Sequence, residues 1–238
     1  QLKVGNRDLY GFDFTWVDER EVVSQSNPIY VSTIERLEFG NFYGYIKQIR
    51  VEDEVKVEGE TTVQLNIDKY LDYVAGIRKE MKTIEKSDIG GINTKIENLR
   101  LDIKKILYNE KDTTKSKVKI DEIEREINRY NESYLHYRQK ADSLNLLASR
   151  YSIYCVDANG IEKIIPMINI VRVYYPNKMS FIAKSGFTFS KIGEFIFDEP
   201  RESNTEGGVF PAIFGTVMMV ILMSIAVVPF GVLAALYL

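Results

Sequence analysis

The stretch "VFPAIFGTVMMVILMSIAVVPFGVLAALYL", from Val209 to Leu238, constrains this chain more than any other, because it offers water almost nothing to hold. Its only polar side-chain groups are the hydroxyls of Thr216, Ser224 and Tyr237, and no Asp, Glu, Lys, Arg or His follows Glu206. About 20 such residues already cross a bilayer as a helix, a form in which every backbone group bonds within the segment. Pro211 suits the first turn, where its missing N–H is harmless, and Pro229 with Gly231 is expected to kink or thin the helix further along. One membrane helix is therefore expected over 207–238, beginning near Val209.

All charge belongs to residues 1–206, where 31 Lys and Arg face 34 Asp and Glu for a net charge of -3. A nucleic-acid binder needs a basic face, and this balance supplies none. The single cysteine, Cys155, excludes an intramolecular disulfide and a Cys-based zinc site, and is expected to be a small buried hydrophobe in a strand. No cationic segment leads into an apolar one after Gln1, so the chain reads as a fragment or as one whose upstream part has been removed. Arg201 stands alone among Asp198, Glu199, Glu202 and Glu206 beside the span. So few cations on that flank place residues 1–206 outside the cytoplasm.

Two long runs carry helical periodicity. In the second, Ile120, Ile123, Ile127, Tyr130, Tyr134, Tyr137, Ala141, Leu144 and Ala148 alternate three and four residues apart without a break, which is a heptad seam. The first run follows the same rule from Ile67 through Tyr70, Val74, Ile77 and Met81 to Ile84, and again from Ile92 through Ile96, Leu99 and Ile103 to Ile106. Met81 and Ile92 lie eleven positions apart instead of seven, a stutter that locally unwinds a supercoil and contains Gly90 and Gly91. The short polar link "NEKDTTKS" (Asn109–Ser116) predicts that the runs fold back antiparallel. Facing seam positions then pair Ile106 with Ile120, Leu99 with Ile127 and Ile92 with Tyr134. Beyond the stutter they pair Ile84 with Ala141, Met81 with Leu144 and Ile77 with Ala148, with the register displaced by one residue. An arm of about 35 residues per helix would project roughly 50 Å.

Strand patterns flank this arm. "DLYGFDFTWV", "NFYGYIKQIRV", "EVKV" and "TTVQLNI" precede it, with Trp16 expected in a strand core. "RYSIYCV" and "IEKIIPM" follow around Asn159-Gly160, a two-residue hairpin signal, and "INIVRVYYP" (Ile168–Pro176) ends at a proline. The fold class expected is α+β: a small β domain from 1–66 and 151–178, with an antiparallel coiled-coil hairpin inserted at 67–150. Residues 179–206 are read as an interfacial amphipathic helix and linker, since Phe189, Ile192 and Ile196 share one face while Lys184 and Lys191 are polar. The competing reading is a last helix packed on the β domain through that same stripe.

Catalytic constellations are missing. There is no phosphate-binding Gly-Lys-Ser/Thr loop, no HExxH and no CxxC, and the one histidine, His136, falls outside the seam. Charge along the outer face of a coiled coil is a solubilising arrangement, and Tyr130, Tyr134 and Tyr137 read as core packing. No enzyme, cofactor, catalytic residue or metal site is expected.

The tail carries a specific signal. "NTEGGVFPAIFGTVMMVILMSIAVVPFGVLAALYL" resembles the segment that opens the transporter core of the PstA-type permease of phosphate-specific ABC importers. The likeness lies in an Asn-Thr-Glu-Gly-Gly opening at Asn204–Gly208 and a Pro-Phe-Gly-x-x-Ala-x-x-Tyr-Leu close at Pro229–Leu238. The preceding "FIFDEPRES" resembles the approach to that segment in long members of the family. The resemblance implies a large extracytoplasmic domain followed by the second helix of a multi-pass protein of the bacterial inner membrane. It implies as partners a second permease subunit, cytoplasmic ATPase subunits, an extracytoplasmic phosphate-binding protein and membrane lipid. Gly207 and Gly208 would let the chain turn into the membrane, and Gly215 and Gly231 would allow close helix packing. A membrane-tethered coiled-coil adaptor and a sensor ectodomain are the competing readings.

Overall fold

A computed structural model of the protein describes residues 2–12, 14–109, 114–197 and 208–237. The chain is mixed α and β and forms two compact units, one from residues 1–45 with 171–238 and the other from 46–170.

The first unit opens with a two-stranded antiparallel ribbon, β1 (Leu2–Lys3) on β2 (Phe14–Thr15), around the one-turn helix α1 (Arg7–Tyr10). Then come β3 (Ser32–Arg36) and β4 (Phe42–Val51), antiparallel with Ile34 opposite Phe42 and Ser32 opposite Gly44. β8 (Ile170–Tyr174) lies beside β3. All five residues of β3 are buried, Glu35 and Arg36 among them. Those two charges break the apolar-polar alternation by which strands are recognised, so β3 has no counterpart in the sequence reading.

Two buried polar devices close this unit. Asn6, with φ 52°, gives its side-chain amide to the Tyr43 carbonyl at 2.9 Å and accepts the Tyr43 N–H at 2.6 Å, standing in for a strand neighbour. Gly5 must precede it, because a Cβ there would lie 2.2 Å from the Tyr43 ring, at a φ of +65° that side chains rarely tolerate. Arg36 donates to both Asp8 carboxylate oxygens at 2.7 and 3.0 Å and to the Phe39 and Gly40 carbonyls, holding the β3–β4 loop. Trp16, by contrast, is 81% exposed. Its expected place in a strand core is overturned, because "DLYGFDFTWV" forms the turn of α1 and only the short β2.

In the second unit the later part of β4 pairs with β5 (Glu54–Glu58), while β6 (Tyr151–Val156) lies beside β4 and carries β7 (Glu162–Pro166) on its other side. The β4–β5 turn is the two-residue Glu52-Asp53, both with positive φ, as a type I′ turn requires. The expected two-residue turn at Asn159-Gly160 is corrected to a longer loop between Val156 and Glu162. Asp157 accounts for the change: its carboxylate accepts the N–H groups of Asn159 and Ile161, and this Asx-type loop outcompetes a tight turn.

From β5 the chain enters α2 (Glu60–Thr83), a π-helical segment (Ile84–Ile89), and α3 (Gly90–Asn109); α4 (Thr114–Ser149) returns. "TTVQLNI" is therefore helix, not strand. Val63 and Ile67 stand four residues apart, and both are buried against the sheet, which outweighs the β propensity of Thr61, Thr62 and Val63. α4 packs on α2 and α3, and two contacts show that it runs antiparallel to them: Glu80 pairs with Lys140 at 2.8 Å, and Lys95 sits over the Tyr130 ring. The seam expected from the sequence is the inward side of these helices. Ile67, Val74, Ile77, Ile84, Ile92, Ile96, Ala141 and Ala148 are buried, and the other seam residues are half-buried.

The helix bases share one core with the sheet, where Ile46, Ile49, Ile153, Cys155, Ile165 and Met167 are almost wholly buried. Arg78 ties α2 to the start of β8 and the turn before it through the Ile170 and Ile168 carbonyls, each at 2.9 Å. Cys155 is fully buried in β6, as expected for a small hydrophobe.

Candidate membrane interface

The first unit ends in two helices. α5 (Phe181–Phe197) starts at Ser180, whose hydroxyl accepts the Ala183 N–H at 3.3 Å. α6 (Phe210–Tyr237) has 28 residues, its 18-residue apolar stretch has a mean hydropathy of 2.6, and none of the helix is buried among the described residues. By length and composition α6 can cross a membrane. The hydroxyls of Thr216 and Ser224 bond back to the Ile213 and Val220 carbonyls, so both polar groups are satisfied within the helix.

The residues singled out in the tail are distributed along α6. Pro211 is in its first turn, as expected. Pro229 lies within the helix, which continues through it to Tyr237, and its missing N–H leaves the Ile225 carbonyl without its usual partner. Gly215 and Gly231 face open space. Gly208 is buried just before α6, where the Val209 N–H donates to the Phe195 carbonyl of α5 at 2.8 Å. Gly207, Asn204 and the rest of the stretch 198–207 lie outside the described residues, as do 110–113 at the link between α3 and α4 and the terminal Leu238.

α5 is amphipathic in an inverted sense. On one side Phe181, Ile182, Phe189, Ile192 and Ile196 are exposed by 85, 83, 74, 50 and 39%. About half a turn round, at 100° per residue, Phe187, Lys191 and Glu194 face the strands. Phe187 packs on Tyr174 of β8 with ring centres 4.7 Å apart. Lys191 bridges Glu35 of β3 at 2.6 Å and Glu194 at 2.8 Å, and Arg172 of β8 reaches Glu194 at 2.5 Å. The apolar stripe marked in the sequence therefore does not pack on the strands. The charged side does, because Glu35 and Arg172 offer it partners there.

Burial pushes the Glu194 carboxyl up, but hydrogen bonds and charges from Lys191 and Arg172 outweigh it and hold the group below its ordinary 4.5. A carboxylate with a depressed folded value stabilises the folded state above its unfolded range, and that contribution is lost as the pH falls through the folded value. Docking of α5 is therefore expected to hold from neutral pH down to about the ordinary 4.5 and to weaken progressively below it, as the pH falls towards the folded value. Exchange protection of the α5 amides as a function of pH checks this, with Glu194→Gln expected to weaken docking at neutral pH and to flatten the acid transition.

Other candidate chemistry stays dispersed. His136 is exposed with its ring 5.8 Å from that of Tyr137, and Tyr130, Tyr134 and Tyr137 are half-buried in the seam. Among the described residues no group of three or more His, Cys, Asp or Glu is placed to hold a metal ion. The sequence reading missed the Glu35–Arg172 anchor for α5, since no local pattern joins residues so far apart. No family model matches the chain, and neither a curated protein nor a solved structure matches it with significance.

Proposed function

We propose that this chain is the extracytoplasmic domain and second membrane helix of a permease subunit in an ABC importer for inorganic phosphate. The observation that carries the reading is the tail: the permease-like motif at Asn204–Gly208 and Pro229–Leu238 flanks an apolar helix long enough to span a bilayer. In this reading α2, α3 and α4 form an antiparallel coiled-coil hairpin inserted into the β structure, α5 lies at the membrane surface, and residues 1–206 face outward. The chain contributes no catalytic group, and ATP is hydrolysed by separate cytoplasmic subunits.

The hairpin reaches for a partner, either the phosphate-binding protein or the second permease subunit. Its exposed faces carry ion pairs such as Glu97–Arg100 and Asp102–Lys105, which keep a long helix soluble. Excising residues 93–133 and closing the gap with a short glycine turn would leave the buried base from Val63 to Ile84 intact. Phosphate uptake by the full-length protein is expected to fall at least about tenfold, equivalent to roughly 1.4 kcal/mol of partner affinity. Unchanged uptake together with unchanged assembly of the transporter would sink the reading.

A further inference from the structure

We propose that α5 carries a preformed docking face for the boundary between headgroups and acyl chains of a lipid bilayer, set in orientation from behind by Glu35, Lys191, Glu194 and Arg172. The inference rests on α6 as a membrane span and is independent of what the protein transports.

Three observations lead to a bilayer as the occupant. First, Phe181, Ile182, Phe189, Ile192 and Ile196 form a contiguous apolar stripe that the described residues leave exposed. A soluble surface rarely leaves so many large apolar side chains together. Second, α5 is tied to the start of α6: the two helices pack on each other, and the Phe195 carbonyl accepts the Val209 N–H of the chain entering α6. A helix fixed at the mouth of a span lies where the interface is.

Third, the charges are disposed for neutral lipid. α5 contains three charged residues, Lys184, Lys191 and Glu194, and the last two are turned inward into the network with Glu35 and Arg172. Only Lys184 is exposed, at the edge of the stripe, so insertion is driven by apolar burial and needs no anionic headgroup. The same network separates this helix from one that folds only on meeting a membrane. Rolling α5 over to hide its stripe would expose Phe187 and break the bonds of Lys191 and Glu194 at once.

The test uses the full chain in nanodiscs of phosphatidylcholine brominated either near the headgroup or near the chain end. Trp16, the only tryptophan and an exposed one, is replaced in W16F so that single reporters can be read. In that background Phe189→Trp is expected to lose most of its fluorescence to the shallow bromines and little to the deep ones, with no change when phosphatidylglycerol is added. Ser190→Trp, on another side of the helix, is expected to lose little to either. Adding Glu194→Gln and Lys191→Gln is expected to erase the contrast between the two reporters. A tryptophan at 189 that neither bromine quenches overturns the proposal, whether water, a second copy or another protein segment covers the face. So does equal quenching at both depths, or a dependence on anionic lipid. A protein that docks in this way but moves no phosphate would refute the permease reading and leave this one standing.

Discussion

Asp8→Ala is expected to cost about 3–5 kcal/mol of folding stability, the range for breaking a buried ion pair by removing one partner. The side chains of Arg36 and Asp8 are only 4 and 7% exposed, and the pair is bidentate, so the guanidinium left behind would be buried without its counter-charge. The Phe39 and Gly40 carbonyls would still hold it, but two neutral acceptors do not replace a carboxylate. Chemical denaturation of the detergent-solubilised chain checks the size of the loss. The double variant Asp8→Leu with Arg36→Met is expected to recover a large part of it, since apolar side chains of similar volume remove both desolvation costs together. A single variant within about 1 kcal/mol of the parent, the usual worth of an exposed pair, would show that Asp8 and Arg36 are hydrated in solution.

Deleting one residue has opposite expected results at two places on the same helix. Within Ile84–Ile89 the Gly90 N–H bonds to the Glu85 carbonyl five residues back, so this turn carries one residue more than an α-helix needs. Removing exposed Ser87 is expected to convert the turn to regular α-helix and keep Ile92, Ile96, Leu99 and Ile103 facing α4, leaving the melting temperature unchanged or higher. Removing exposed Asn98 instead rotates everything beyond it by about 100° and takes Leu99, Ile103 and Ile106 off the seam. That loss is on the order of 3 kcal/mol at about 1 kcal/mol for each half-buried side chain. Thermal melts followed by circular dichroism separate the two, and equal destabilisation would show that the extra residue has a structural role of its own.

The same π segment shows how closely the arm could be read in the sequence. The heptad positions on α4 and on α2–α3 are the residues found inward, and the stutter expected between Met81 and Ile92 coincides with the π turn. Periodicity is a local property, and a helix that buries one stripe writes that stripe every three or four residues. The apolar run of α6 was equally plain, because almost no polar residue interrupts it over a length sufficient to cross a bilayer. Strand ends were harder to read. "TTVQLNI" has strand composition but sits where the sheet buries Val63 and Ile67 from a helix, and Asn159-Gly160 has hairpin composition but sits beside Asp157, whose carboxylate takes the N–H groups a tight turn would have used.

The long helices, their inward stripes and the apolar helix were thus legible in one dimension, since each depends on spacing along a single helix. Which way α5 faces depends instead on contacts between distant parts of the chain. Its stripe fits a core helix and a surface helix equally well, and the choice falls to Glu35 and Arg172, which reach Lys191 and Glu194 only once β3 and β8 are in place. Burying β3 with its two charges was likewise a tertiary outcome. Glu35 and Arg36 look solvent-bound in one dimension and are sequestered because Lys191 and Asp8 arrive from distant parts of the chain to neutralise them.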